Sequence, residues 1–295
     1  VVVGAYGSAG AALAGELAEE PDVELTLIDD GDPGGGLCIL RGCMPSKEVL
    51  SAGAHRFQAR HDDRLVGDLP DVDLEAVVER KDDHTLEWAG YRRESIHEMA
   101  KHENIRFVHD TARFVDEHTV AAGGEEFEAD YVVVATGSNV NVPALPGIDD
   151  VDFNTSADVL DATDFPDSGI VMGFGYVGME LVPYLTEAGG MDLTVIEHDE
   201  RPLDEADPTF GDELLSIYER NFPIDIPTNC YEQSVEPTDD GGVRLHVEYD
   251  DGTEEAFEAD ELYLFTGRRP NLDPLALENT PIDPAGEWVA DTMQA

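Results

Sequence analysis

The sequence is poor in positive charge. Its 295 residues include only three lysines, at positions 47, 81 and 101, and 17 Lys+Arg oppose 66 Asp+Glu, which gives a formal net charge of -49. A surface this acidic repels the phosphates of nucleic acids and of anionic lipids. We therefore expect neither nucleic acid nor membrane as a partner.

Long apolar runs are also missing. No run reaches the roughly 18 residues that a membrane span needs, and no basic segment precedes an apolar one as in a secretory signal. We expect a cytoplasmic protein of about two domains, since its length exceeds that of one ordinary core. Because an apolar strand begins at Val1 and the last residues carry no stop signal, we also expect a fragment.

The acidic residues are spread along the whole chain and alternate with apolar runs such as YVVVATG (131–137). A disordered acidic tail would instead concentrate them in one block. The pattern predicts a folded protein with an acidic coat, as in halophiles that accumulate salt. An acidic protein of a mesophile is the alternative.

Two parts of the chain share one pattern. Residues 1–29 and 170–197 each contain an apolar run, a glycine turn, a helical stretch and a strand that leads to an acid. Nineteen positions separate Gly10 from Asp29, and nineteen separate Gly178 from Glu197. After each part, a later apolar strand ends in Thr-Gly, at 136–137 and at 266–267. The repeat predicts two homologous α/β units.

Each glycine turn suits a dinucleotide. Glycines let a pyrophosphate approach a helix N-terminus, and the acid about twenty residues later can bind a ribose hydroxyl. Gly173, Gly175 and Gly178 form a complete G-x-G-x-x-G. In the first turn Ala5 stands where the first glycine belongs, and Gly4 comes one position early. A purely structural turn is the alternative for either copy taken alone.

Residues 34–47, GGGLCILRGCMPSK, contain two of the three cysteines. Pro45 suits the first turn of a helix, and a helix entrance lowers the pKa of a thiol. A close pair in a cytosolic protein is typical of a redox or a metal site. Zinc is the alternative, because Cys38, Cys43, His55 and His61 are spaced C-x4-C-x11-H-x5-H. Cys230 is interpreted as a lone thiol.

This stretch resembles the redox-active segment of the flavoprotein pyridine nucleotide–disulfide oxidoreductases, a family that includes dihydrolipoamide dehydrogenase, glutathione reductase and mercuric reductase. Further matches follow in order: ATGS (135–138), LPG (145–147), GFGYVGME (173–180) and TGRRPN (266–271). The resemblance implies two Rossmann-like domains, with an NAD domain inserted into an FAD domain. It places the FAD domain at 1–148, the NAD domain at 149–265 and a return to the FAD domain at 266–295.

The resemblance also implies residue roles. Cys38 would be the interchange thiol and Cys43 the charge-transfer thiol beside the flavin, while Lys47 would lie near flavin N5 and pair with Glu180. Residues implied to hold FAD are Gly7, Gly10, Asp29, Gly36, Lys47, Thr136, Gly137 and Ser138. Residues implied to hold NAD are Gly173, Gly175, Tyr176, Val177, Gly178, Glu180, Glu197 and Gly267. No metal is implied.

The sequence departs from the family pattern in three respects. Leu37 replaces the usual Thr or Ser before the first cysteine. The second FAD motif, a G-D pair, is not reached by residue 295 and is expected beyond it, although Asp291 lies where the chain approaches it. The C-terminal dimerisation domain with its His-Glu pair is not reached either, so we expect a homodimer only of a longer protein.

The implied reaction is electron transfer between NAD(H) and a thiol/disulfide through a Cys38–Cys43 disulfide. Dihydrolipoamide is the first expected substrate, and the lipoyl domain of a 2-oxoacid dehydrogenase complex is a possible partner. The alternatives are an NAD(P)H-dependent reductase of a small disulfide or of mercuric ion, and a non-catalytic redox or zinc-binding protein.

We predict that the fold requires molar salt. Repulsion within a chain of net charge -49 is screened when the Debye length falls to ~3 Å at 1 M salt. Circular dichroism during dialysis into dilute buffer should show loss of structure. An unchanged spectrum with an unchanged melting temperature would contradict this prediction.

Overall fold

The computed structural model describes residues 1–203, 205–285, 289–290 and 293–294, so Asp291 lies outside the described residues. The chain divides into two compact units. Unit 1 comprises residues 1–44, 83–139 and 269–295, and unit 2 comprises residues 45–82 and 140–268. Unit 2 is thus inserted at two places in the sequence of unit 1.

Strands and helices alternate along much of the chain. In chain order the strands are β1 (Val2–Val3), β2 (Leu25–Asp29), β3 (Ile105–His109), β4 (Arg113–Phe114), β5 (Thr119–Ala122), β6 (Glu125–Glu128), β7 (Val133–Val134), β8 (Ser138–Val140), β9 (Asn154–Thr155), β10 (Ser168–Met172), β11 (Asp192–Ile196), β12 (Ile224–Asp225), β13 (Cys230–Pro237), β14 (Val243–Tyr249), β15 (Glu254–Ala259), β16 (Glu261–Leu264) and β17 (Arg268–Pro270). The helices are α1 (Ser8–Ala18), α2 (Gly36–Leu40), α3 (Cys43–Arg60), α4 (Leu74–Met99), α5 (Ser156–Asp161), α6 (Tyr176–Glu187) and α7 (Pro208–Asn221).

Unit 1 is built on a parallel sheet of order β3-β2-β1-β7. Successive strand residues point to opposite faces, so Val2 and Leu27 join the core cluster that includes Ala14 of α1, whereas Val3 and Ile28 join a second cluster. The antiparallel sheet β4-β5-β6 contributes to that second cluster. Both faces of the parallel sheet are therefore covered, which explains its continuous apolar strands.

Unit 2 repeats this plan with a parallel sheet of order β12-β11-β10-β16-β9. Val171 packs with Leu181 and Leu185 of α6, while Met172 packs on the opposite face with the antiparallel sheet β13-β14-β15. Strands β10, β11 and β16 hold the positions that β1, β2 and β7 hold in unit 1. The predicted fold class, two α/β units of Rossmann type, is confirmed.

Residues 45–82 belong to unit 2, whereas the expected FAD domain runs over residues 1–148. Val49 of α3 lies in the unit 2 core, and Gly53 packs against the backbone of Tyr184. Farther along α3, Arg56 and Arg60 both donate to the buried carboxylate of Glu187. These long-range contacts, and not any local sequence signal, assign residues 45–60 of α3 to unit 2. Among the described helices, none is long and apolar enough to cross a membrane.

Candidate active site

The second glycine turn connects β10 to α6 and leaves a backbone cradle. A Cβ on Gly173 would lie 2.7 Å from the Phe265 carbonyl oxygen, and one on Gly178 would lie 2.4 Å from the Gly173 carbonyl oxygen. By contrast, a Cβ on Gly175 would meet nothing within 4 Å. Gly175 is also the N-cap of α6 and supplies no side-chain acceptor to the first helical N–H groups. Open space above uncapped N–H groups fits the pyrophosphate of a dinucleotide.

The first glycine turn has the same construction but is one residue longer. Gly4 has φ +93°, as Gly173 has φ +97°, and a Cβ on Gly4 would lie 2.2 Å from the Ala135 carbonyl oxygen. A Cβ on Gly10 would lie 2.1 Å from the Gly4 carbonyl oxygen, as at Gly178. The interpretation that Ala5 replaces the first glycine is therefore wrong: Gly4 fills that position and one extra residue follows it.

Tyr6 accounts for the extra length, because two residues separate Gly4 from the N-cap Gly7 where one separates Gly173 from Gly175. Its ring is buried, and its hydroxyl lies 2.7 Å from Nε2 of His97. Its backbone N–H donates to Asp29 at 2.8 Å. Like Gly175, Gly7 provides no side-chain cap to its helix. The first turn thus also offers helical N–H groups to an anion.

The two acids predicted to bind ribose close their strands in different ways. Asp29, at the end of β2, accepts from the backbone of Tyr6 and of Gly31, each at 2.8 Å. Glu197, just after β11, accepts from the backbone of Asp199 at 3.0 Å. Burial is the largest cause that raises the pKa of each carboxyl. A carboxylate has about four acceptor positions, so both acids keep capacity for a ribose hydroxyl.

Each Thr-Gly step is hydrogen-bonded to a sequence-distant segment of its own unit. In unit 1, Thr136 donates its hydroxyl to the Asn271 carbonyl oxygen at 2.7 Å, and Asn271 donates its N–H to the Gly137 carbonyl oxygen at 3.0 Å. In unit 2, Asn141 donates its backbone N–H to the Gly267 carbonyl oxygen at 3.0 Å. Ser138 begins β8, directly after Gly137. The ATGS and TGRRPN segments are thereby joined at 136–137 and 271.

The three glycines before the first cysteine are required by the backbone. Gly34, Gly35 and Gly36 have φ of 84°, 124° and 72°, a region that strongly favours glycine. A Cβ on Gly36 would lie 2.6 Å from the Cα of Gly7. The segment therefore turns sharply and brings the start of α2 against the first glycine turn.

Cys38 lies in α2 and Cys43 begins α3, with Pro45 in its first turn as predicted. The structure holds the pair as free thiols, Cys38 half-buried and Cys43 exposed. The pKa of Cys38 is raised, chiefly by burial and then by its hydrogen bond with Cys43. The expectation of a lowered pKa is therefore wrong for Cys38, because burial and the neighbouring Cys43 side chain outweigh the positive charge of Arg92.

Arg92 is a functional candidate that the sequence analysis missed. Its Nη1 donates to the carbonyl oxygens of Tyr6 and Gly7, both at 3.2 Å. Its positive charge lowers the pKa of Cys38 and so opposes the effect of burial. No local signal distinguishes it from its neighbour Arg93 on α4, since only the packing of α4 against the turn shows its place.

Lys47 lies one turn after Cys43 on α3 and forms an ion pair with Glu180 of α6. The Lys47 side chain is 62% exposed and the Glu180 side chain is 48% exposed. An ion pair this exposed contributes about 0–1 kcal/mol, so stability does not explain it. The pair places a cation beside the second glycine turn.

The zinc alternative rests on Cys38, Cys43, His55 and His61. Among the described residues, no group of three or more His, Cys, Asp or Glu side chains could hold a metal ion. His61 lies near the Phe57 carbonyl oxygen at 2.8 Å. Cys230 is buried, and burial is the main cause that raises its pKa to about 11.

The family model described as pyridine nucleotide-disulphide oxidoreductase matches residues 1–295. The chain belongs to this family. A mercuric reductase of Bacillus cereus is 31% identical over 97% of the chain, and a dihydrolipoyl dehydrogenase of Halobacterium salinarum is 30% identical over 99%. The chain covers 45% and 61% of these relatives, so it spans about half the length of the curated oxidoreductases it matches.

A solved structure of this type gives the same fold. The copper(II) complex of the HOCl-induced flavoprotein disulfide reductase RclA from Escherichia coli aligns over 98% of the chain and 60% of its own, with a TM-score of 0.77 at 24% identity. The resemblance drawn from the cysteine segment is therefore confirmed at the level of family and fold. The roles of individual residues stay predictions.

We predict that Arg92 tunes the reactivity of Cys38. In a Cys43→Ser chain, the alkylation rate of Cys38 should reach half its maximum at a pH above the ordinary thiol pKa of about 8.5. Arg92→Gln should move that midpoint higher, because the neighbouring positive charge is lost.

Arg93→Gln is the matched control, since it removes the same charge from the next position of α4. Its midpoint should equal that of the parent chain. Equal midpoints for Arg92→Gln and Arg93→Gln would show that Arg92 does not act on the thiol.

Proposed function

We propose that the chain is the nucleotide-binding part of a cytoplasmic FAD-dependent oxidoreductase, which moves electrons between NAD(H) and a thiol/disulfide through Cys38 and Cys43. The observation that carries this proposal is the close thiol pair that starts beside one glycine turn, with Lys47 one helical turn away and paired with Glu180. When bound, FAD would relay two electrons between the nicotinamide and the sulfurs.

The two glycine turns divide the cofactors between them. Gly7, Gly10, Asp29 and Gly36 surround the uncapped start of α1 and would hold FAD, with Thr136, Gly137 and Ser138 at the joined segments. The NAD pyrophosphate would bind at Tyr176, Val177 and the glycines of the second turn. Glu197 would bind the ribose. Gly267, whose carbonyl oxygen accepts from the N–H of Asn141, would complete the NAD site. The unit 2 segment at 149–265 would then be the NAD domain.

The sulfur chemistry balances within the pair. Cys38 would attack the substrate disulfide as a thiolate, which releases one substrate thiol and forms a mixed disulfide. Cys43 would then attack Cys38, which releases the second thiol and leaves the Cys38–Cys43 disulfide. Two electrons from NADH would return that disulfide to the dithiol. The fixed charge of Lys47 would favour negative charge where it develops.

Dihydrolipoamide is our first substrate, and its oxidation would run these steps in reverse, from the Cys38–Cys43 disulfide to lipoamide with the two electrons passing to NAD. The lipoyl domain of a 2-oxoacid dehydrogenase complex is the corresponding protein partner. The relatives named dihydrolipoyl dehydrogenase include those of Halobacterium salinarum and Haloferax volcanii, at 30% and 28% identity. The acidic composition of this chain agrees with such an origin. A reductase of mercuric ion is the second candidate, supported by the 31% identity to the Bacillus cereus mercuric reductase.

We predict different optical spectra for the two cysteine variants of the FAD-loaded protein. Cys38→Ser leaves Cys43 as a lone thiolate beside the flavin and should show a long-wavelength absorption band before any reductant is added. Cys43→Ser should lack the band at every stage. A Cys38→Ser protein without the band between pH 6 and 10 would show that the two thiols have been assigned wrongly.

We also predict that the longer protein, with its dimerisation domain, prefers NADH over NADPH in kcat/KM. The largely buried carboxylate of Glu197 can accept from a ribose hydroxyl and repels a 2′-phosphate. Glu197→Gln should reduce the preference, because the repelling charge is lost. Asp192→Asn removes an exposed carboxylate from the start of β11, the strand that precedes Glu197. This variant should leave the ratio of the two kcat/KM values unchanged.

The same assays separate the substrates. NADH-linked reduction of lipoamide, compared with that of mercuric ion, should favour lipoamide. Faster turnover of mercuric ion would select the second candidate. A parent protein that prefers NADPH would contradict the assigned role of Glu197.

A further inference from the structure

Helix α6 contains a proline in its interior, at Pro183. In a regular helix the N–H of residue 183 would donate to the carbonyl oxygen of Met179, four positions earlier. Proline has no N–H, so this carbonyl loses its helical partner. Met179 lies directly between Gly178, the last glycine of the second turn, and Glu180, the partner of Lys47. The missing hydrogen bond therefore falls in the first turn of α6, next to the second glycine turn.

Tyr218 of α7 supplies the missing donor. Its hydroxyl donates to the Met179 carbonyl oxygen. Its ring meets the ring of Phe174 edge-on, with centroids 5.1 Å apart and an angle of 82° between the planes. Phe174 is buried and lies between Gly173 and Gly175 in the turn itself. One side chain therefore contacts the glycine turn and the helix that follows it.

The hydroxyl remains a donor over the range in which the protein would work. Burial raises the pKa of Tyr218 to about 12, with a further contribution from the negative charge of Glu180. Tyr218 is therefore neutral at physiological pH.

We propose that Tyr218 is a positioning residue for NAD(H) binding, since its hydroxyl replaces the N–H lost at Pro183 and its ring supports the second glycine turn. The inference rests on the proposed function, because it assigns NAD(H) to this turn. The contacts of Tyr218 are with the Met179 carbonyl oxygen and the Phe174 ring. It acts through the position of the first turn of α6.

Tyr184 offers a matched control on the same helix. Its hydroxyl is buried and has no hydrogen-bond partner among the described residues. Tyr184→Phe removes a hydroxyl just as Tyr218→Phe does, but it breaks no hydrogen bond to the turn. A general effect of losing a buried hydroxyl would appear in both variants.

The test is a double-mutant cycle with Tyr218→Phe and Pro183→Ala, read out by the Kd of NADH from its fluorescence in high salt. Circular dichroism would first establish that every variant is folded at the temperature used. We expect Tyr218→Phe to weaken NADH binding about tenfold, the size of effect that an unpaired buried carbonyl produces. Tyr184→Phe should bind as the parent does.

In the Pro183→Ala background the N–H of residue 183 is restored, so Tyr218→Phe should change the Kd less than twofold. An equal loss in both backgrounds would overturn the inference, as would an unchanged Kd for Tyr218→Phe, even with a lower melting temperature. A parent chain that does not bind NADH would instead overturn the proposed function, and the role of Tyr218 with it.

Discussion

Both nucleotide turns depend on backbone contacts that leave no space for a side chain. In each unit the carbonyl oxygen of the first glycine occupies the place that a Cβ on the last glycine would need, at 2.1 Å for Gly10 and 2.4 Å for Gly178. This contact brings the helix start close to the end of its strand. The helix N–H groups can then face an anion. The strand order of each sheet, the later Thr-Gly step and the acid are arranged around that contact.

Much of this arrangement follows from the sequence because it is local or repeated. The nineteen-residue spacing from Gly10 to Asp29 and from Gly178 to Glu197 predicts two equivalent units, and the parallel sheets confirm them. The helix start near Pro45 follows from proline chemistry. The ion pair between Lys47 and Glu180 could be expected only through the family resemblance, since 133 positions separate its members.

What the sequence did not predict depends on tertiary packing. The place of Gly4 was obscured by the inserted Tyr6, and only the shared contact with the Thr-Gly strand shows which glycine comes first. The raised pKa of Cys38 reflects burial, a quantity that motif spacing does not contain. Arg92 and Tyr218 reach their partners from other helices. Neither side chain stands out in its own segment.

The scarcity of cations makes their placement informative. Of the three lysines, Lys81 is buried against Asp161, Lys101 pairs with Glu98 at the surface, and Lys47 pairs with Glu180. Lys47 is one of only three lysines in a strongly acidic chain, and its exposed ion pair adds little to the stability of the fold. A fixed charge near a reacting centre, in contrast, has an effect that no hydrated acidic residue can replace. Under the proposed function, the position of Lys47 one turn after Cys43 on α3 would therefore serve the chemistry and not the stability of the fold.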